Sequence, residues 1–563
     1  MGGLADEPKD RPRAEILARH TGLVGRTALV SVLTLVSRLL GFLREILMAS
    51  VFGDGSAVSD AFFTAWRVPN LFRRLFGEGA LSTSLQAAIT EVDAEEGNDA
   101  GRRLFLSTLR TATVLLLVVS LVSMLCIARL PDEMPLTGWA WMGADPGPVR
   151  DLAVRLVPYV LLVCLTALAG GALFVRGHYF VPNLAPAAMN LCWIGALLWM
   201  GWVFGFAESA QGSRDVVFAR QWDMARVLAW GVLASGLVQL LLHLPPLLRF
   251  GLLRPPASPL ARPGATRTQG RSGWAVIRDS APLALGAAVY QINVMIDGLM
   301  AEGMLADGGP TALYYANRVQ QFPFALIATA AIASVFPRMK AHGHLGEFVP
   351  LRRLYDRAQL GVLFLALPAA AGLLALAHPI SVTLFQHGNY GAEGTRRVGE
   401  ALAMLAIALV PAGAVGLLGR TYIALGDLRT PVRVSVWMMG LNVALNVLFV
   451  RGLGMDVGGL ALATAVTSWG NLLVLSLVAR KKLGFPAREG GRYAHVGLLV
   501  LAGIATGAAA RIAWSVLGDL GDAPRLLVAT AAGALAMAAV SHFLKLPEWD
   551  ELRVRLGRRR NRP

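Results

Sequence analysis

The sequence predicts an all-α polytopic membrane protein: about fourteen transmembrane helices, in two six-helix lobes around a central cavity plus a C-terminal helix pair. Three observations predict it. Of the 563 residues, 55% are hydrophobic and 16% charged, a balance found in chains whose solvent is the bilayer. Basic residues gather in alternate short loops between long apolar runs. A single Pro-, Arg- and Gly-rich stretch, RPPASPLARPGATRTQGRSG, divides the apolar runs into two sets.

Residues 1–23 are polar and read as a cytoplasmic N-terminal tail; the long, arginine-bearing apolar stretch that follows is unlike a cleaved signal peptide. At ~20 residues per crossing, the first lobe, 24–247, has helices near 24–50, 58–92, 104–128, 150–175, 183–206 and 225–247. Residues 248–274 form the linker. The second lobe, 275–480, has helices near 275–302, 311–337, 356–378, 397–424, 432–450 and 456–479. Segment 481–545 holds the last pair, near 493–516 and 523–544. Residues 546–563 make a basic tail ending in Arg558, Arg559, Arg560 and Arg562.

The even-numbered loops carry Arg102 and Arg103, Arg176, Arg249 to Arg271, Arg338 to Arg353, Arg420 to Arg433, and Arg480 to Arg488, whereas 51–57 and 303–310 have no Lys or Arg. Both termini are therefore expected in the cytoplasm, with the basic tails facing anionic phospholipid. This placement accounts for the net charge of +16 without nucleic acid. Cys126, Cys164 and Cys192 lie in apolar runs without CxxC spacing, so neither a disulfide framework nor a metal centre is indicated.

The two halves share residues. Ala61, Ala65, Arg67 and Val68 match Ala312, Ala316, Arg318 and Val319, and Arg102, Arg103 and Leu104 match Arg352, Arg353 and Leu354. Six crossings per half is even, so the copies run the same way through the membrane, with a substrate site between them and alternating access by rocking. The turns FVRGHYFVP and YIALGDLRTP recur at matching places, followed by Asn190 and Asn442; they read as hinge or packing features.

Charges inside two of the helices give the functional clue. The first carries Ser37, Arg38, Gly41, Arg44 and Glu45; the second carries Asp60, Arg67, Arg73, Arg74 and Glu78. Each intramembrane charge costs at least ~2.5–3.5 kcal/mol, which favours a polar cavity over lipid. Gly41 permits a bend that brings Arg44 round to the Arg38 face. Asp60, Arg67, Arg74 and Glu78 share one stripe of an ideal helix, but Pro69 interrupts it, so Arg73 competes with Arg74 for the inward position. Arginine donates two parallel hydrogen bonds and keeps its charge when desolvated, so a pyrophosphate is a natural guest. Arg318 brings the same charge from the second lobe. Asn293, Asp297, Asn442, Asn446 and Thr464 form an oxygen-rich set, readable as a cation site or as interhelical packing.

The stretches SRLLGFLREILMASVFG, SDAFFTAWRVPNLFRRLFGEGALS, LYYANRVQQFP, LFQHGNY and ALGDLRTPV resemble the MurJ (MviN) family of bacterial lipid II flippases, in the multidrug/oligosaccharidyl-lipid/polysaccharide exporter superfamily. The resemblance spans the whole chain. It implies transport of lipid II, an undecaprenyl pyrophosphate carrying the peptidoglycan disaccharide-pentapeptide, from the cytoplasmic to the periplasmic leaflet of the inner membrane. By motif it marks Ser37, Arg38, Arg44, Asp60, Arg73, Glu78 and Arg318 as substrate-handling positions, and the last two helices as a groove for the polyprenyl tail. Asn317 and Gln321 depart from it, standing where the family often has Asp and Glu.

No cofactor is implied. The P-loop pattern GxxxxGK[ST] is absent, so energy is expected from the membrane potential or a cation gradient. An enzyme of polyprenyl-linked sugars would need a carboxylate or histidine cluster that these nine histidines do not form. Alternatives of a different kind are a flippase for another polyprenyl-linked glycan, a drug/cation antiporter, or a scaffold that recruits cell-wall synthesis proteins.

Overall fold

The computed structural model describes residues 11–77, 80–129, 146–205, 212–254, 272–327, 335–427, 429–483 and 490–560. Among these residues the chain is helical throughout, without strands. That suits a bilayer, where a helix satisfies its backbone polar groups internally. Ten of the described helices are long and apolar enough to cross a membrane. The other expected crossings fall on α1 (Arg11–Phe52), α2 (Ala57–Phe72) with α3 (Ala80–Glu96), α9 (Gly273–Met304) and α10 (Gly309–Ile327). These helices hold all the buried acids and arginines among the described residues, Arg44, Glu45, Asp60, Arg67 and Asp297, and the total of fourteen remains an expectation.

Two differences from the sequence reading bear on the site. Helix α1 begins at Arg11, so it already includes residues 11–23 of the expected tail. The expected second crossing is broken: α2 passes into one π turn, Arg73–Gly77, before α3. Pro69 lacks an N–H, and the Arg73 N–H is shared between the Pro69 and Asn70 carbonyls, so the regular ladder gives way there.

In the first half, α1 packs on α7 (Phe180–Phe204), α7 on α8 (Arg214–Arg249), and α8 on α6 (Tyr159–Val175); α4 (Asn98–Ala128) and α5 (Pro146–Leu156) complete this half. In the second, α10 packs on α13 (Ala392–Ala424), which meets α12 (Phe348–Phe385) and α15 (Val457–Leu483). α11 (Phe336–His344) and α14 (Arg429–Val447) flank them. The final helices, α16 (Gly490–Val516) and α17 (Asp522–Phe543), pair with each other and lie on α12, followed by α18 (Pro547–Arg560). Of the expected linker, residues 255–271 lie outside the described residues.

Helix α9 joins the halves, touching α2, α3 and α4 on one side and α14 on the other. At one end the halves are pinned by short loops. Asn389 N–H donates to Ser50 O at 3.1 Å, and Gly394 N–H donates to the Asp54 carboxylate at 3.0 Å. Gly388, at φ 59°, would bring a Cβ to 2.8 Å from Ser50 O, so both the left-handed backbone and the close approach require glycine.

Candidate functional site

Between the halves lies a cavity of about 340 Å³, lined by six arginines: Arg38, Arg44, Arg67, Arg73, Arg74 and Arg318. Helix α1 brings three of the predicted residues. Ser37 lines the wall, and its carbonyl accepts from Asn190 at 2.9 Å. Arg38 is half-buried, its guanidinium 6.0 Å from the Phe322 ring centre. Arg44 is 2% exposed. It pairs with Glu45, donates to Asn190 Oδ1 at 3.2 Å and sits 4.4 Å from the Trp193 ring centre, a cation–π contact that suits guanidinium better than ammonium.

Glu45, fully buried, is shared between the halves. Arg318 Nε lies 3.6 Å from Glu45 Oε1, and the Tyr314 hydroxyl donates to the same oxygen at 3.4 Å. Gly41 permits this crossing, because a Cβ there would stand 2.9 Å from Arg318 Nη2. The sequence suggested a bend at Gly41; α1 instead continues unbroken, and the missing side chain makes room for the arginine of the opposite half.

The choice between Arg73 and Arg74 dissolves, since both line the cavity. The π turn, absent from an ideal-helix projection, sets both on the cavity wall. Arg73 donates through Nη2 to Asn70 Oδ1 at 2.8 Å. Arg74 donates to Gln321 at 2.9 Å and Gln291 at 3.5 Å. Gln321 is a neutral acceptor where the family pattern often has Glu, so the charge on Arg74 is solvated there without being cancelled.

Asp60 is placed differently. It lies outside the cavity lining, at the closed end, where its carboxylate accepts from Gly308 N–H at 2.6 Å, Thr311 N–H at 2.9 Å and Thr311 Oγ1 at 2.5 Å. It caps the N-terminus of α10 from the other half. Glu78 lies outside the described residues.

The oxygen-rich set does converge. Asp297 accepts from Asn293 at 3.2 Å, Asn446 at 2.9 Å and Thr464 at 3.2 Å, and Asn446 donates to Asn442 at 3.2 Å. With the amides turned this way the cluster is an interhelical hydrogen-bond network. Asn446 Oδ1 has no partner among the described residues. Sequence reasoning assigned Asn190 to packing and passed over Trp193, Tyr314 and Gln291; neutral residues in apolar runs give no signal until tertiary contact shows what they hold.

A family model described as "Lipid II flippase MurJ" matches residues 48–522, most of the chain. The chain belongs to the MurJ family. It is 30% identical over 459 residues to a probable lipid II flippase MurJ of Rhizobium meliloti, covering 80% of each chain. It is 29% identical over 532 residues to the lipid II flippase MurJ of Burkholderia cenocepacia, covering 91% of this chain and 95% of that one. A solved lipid II flippase MurJ in an inward closed conformation superposes with TM-score 0.69 at 20% identity, covering 92% of this chain and 98% of that one. An inward-facing multidrug-resistance MATE transporter of the MOP superfamily gives 0.60 at 15% identity, covering 80% and 94%. At these identities the structural likenesses speak for the fold. This MurJ-family chain is thus a multi-pass membrane protein of a bacterial transporter family.

Proposed function

We propose that this chain is a lipid II flippase, carrying the undecaprenyl-pyrophosphate-linked precursor from the cytoplasmic to the periplasmic leaflet by alternating access, with both termini in the cytoplasm. The observation that carries this is the cavity lined by arginines from both halves in a chain of the MurJ family. The pyrophosphate enters on Arg38, Arg73, Arg74 and Arg318, while the polyprenyl tail stays in lipid along α16 and α17. Glu45 holds Arg44 and Arg318 when substrate is absent and yields them when phosphate arrives, since two anions compete for the same forks. The halves then rock, releasing the Asp60 contacts. The decisive test depletes the lipid II flippase of a bacterium, expresses this chain, and assays lipid II on the outer leaflet. Rescue is expected; failure of well-expressed protein sinks the assignment.

The Asp297 cluster is the proposed coupling site. Rotating the Asn293 and Asn446 amides would present oxygens beside the carboxylate and Thr464 to a monovalent cation, with a membrane potential of 100 mV contributing ~2.3 kcal/mol per charge moved. In reconstituted vesicles an inward sodium gradient should speed flipping several-fold, and Asp297→Asn should abolish that stimulation while leaving the protein folded. Equal stimulation of wild type and variant would remove Asp297 from the coupling.

A further inference from the structure

Arg67 and Arg318, equivalent in the repeat, reach across the junction in reciprocal fashion. Arg318 of α10 lies against Gly41 of α1 and faces Glu45. Arg67 of α2 lies against Gly298 of α9, where any Cβ would collide with its guanidinium. The two differ in what they find there. Arg318 meets a carboxylate within 4 Å, whereas Arg67 donates through Nη1 to Val294 O at 3.2 Å and leaves Nε and Nη2 buried without a partner among the described residues. The acids nearest it are otherwise engaged: Asp297 by Asn293, Asn446 and Thr464, and Glu302 by the Thr64 hydroxyl at 2.8 Å.

An arginine 8% exposed with two buried, unfilled donors is costly to maintain, because a buried donor left unmade forfeits its hydration. Its setting gives those donors a use. Arg67 lines the same cavity as Arg73 and Arg74 and precedes them, along α2 and into its π turn, by six and seven residues, or ~9–10 Å at about 1.5 Å per residue. Asp60, the latch of the closed end, lies seven residues before Arg67, a similar distance. Arg67 stands midway between the outer arginines and the latch.

We propose that Arg67 is a second phosphate station, which receives an oxygen pair of the substrate's pyrophosphate after the outer arginines and holds it during reorientation. The assignment rests on a polyprenyl pyrophosphate being the substrate. Its planar fork, pinned at Nη1 and open at Nε and Nη2, offers the two adjacent N–H groups that a phosphate takes side-on.

The test uses full-length protein in vesicles, with undecaprenyl pyrophosphate and lipid II as probes, measuring equilibrium binding and flipping rate separately. Arg67→Gln should lower flipping of both probes tenfold or more while changing their affinity less than threefold, with Arg67→Lys recovering part of the rate. Gly298→Ala, which keeps the arginine but moves its guanidinium, should reproduce the same split. Thermal unfolding of each variant within a few degrees of wild type establishes folding. Wild-type rates in folded Arg67→Gln would overturn the proposal, as would a loss confined to lipid II, which would place the peptide rather than the pyrophosphate at this residue. Failure of wild type to bind either probe would instead sink the flippase assignment.

Discussion

Replacing Arg44 by alanine should abolish transport: cells relying on Arg44→Ala as their flippase should lyse, and lipid II should stay on the inner leaflet. The expectation follows from what the guanidinium holds. It pairs with Glu45, bonds Asn190 and covers the Trp193 ring. Its removal leaves Glu45 buried with Arg318, at 3.6 Å, as the nearest remaining cation. Breaking a buried pair on one side typically costs about 3–5 kcal/mol. Loss of fold and loss of function are separable here. Arg44→Met with Glu45→Met removes both charges and should recover most of the stability, because an apolar pair often replaces a buried ion pair without penalty. It should not recover transport, since Arg318 then lacks its holding carboxylate and the phosphate loses a donor. Thermal unfolding of purified protein together with outer-leaflet lipid II decides the matter. A double variant that transports normally would show that the Arg44–Glu45 pair serves structure alone.

The cavity was legible in the sequence because charge inside apolar runs is expensive: Arg38, Arg44, Arg67, Arg73 and Arg74 stood out on that ground, and the repeat added Arg318 as the match of Arg67. What those arginines do to one another was not legible. Gly41 carries no sign that an arginine 277 positions later will lie against it. The contest between Arg73 and Arg74 assumed 3.6 residues per turn, and the structure departs from that period just after Pro69. Asp60 was grouped with the substrate residues through its family motif; its partners Gly308 and Thr311 lie in the other half, beyond the reach of local pattern. The repeat offset did contain the answer in part. Asp60 and Thr311 are equivalents at the offset of 251 found from Ala61 and Ala312, so the latch joins the matching starts of α2 and α10 where the two copies meet.

Asp60→Ala should therefore open the closed end. The carboxylate takes three hydrogen bonds from Gly308 and Thr311, and bonds to a charged group are worth roughly 1.5–3 kcal/mol each. Even if water recovers most of that on opening, a net ~3 kcal/mol corresponds to a more than hundredfold change in the ratio of closed to open forms at 1.4 kcal/mol per decade. Cysteines at Ser50 and Asn389, whose backbones touch across the junction at 3.1 Å, report that ratio through a short thiol-specific cross-linker. Cross-linking should be efficient in the otherwise wild-type chain and nearly lost with Asp60→Ala. Asp60→Asn should fall between, since an amide oxygen accepts without charge. The population shift should slow lipid II uptake from the cytoplasmic side, because a chain held open outward presents its arginines to the wrong leaflet. Unchanged cross-linking in Asp60→Ala would mean that the neighbouring contacts, Asn389 with Ser50 and Gly394 with Asp54, hold the gate unaided. In that case Asp60 would owe its place to capping α10 rather than to timing the cycle.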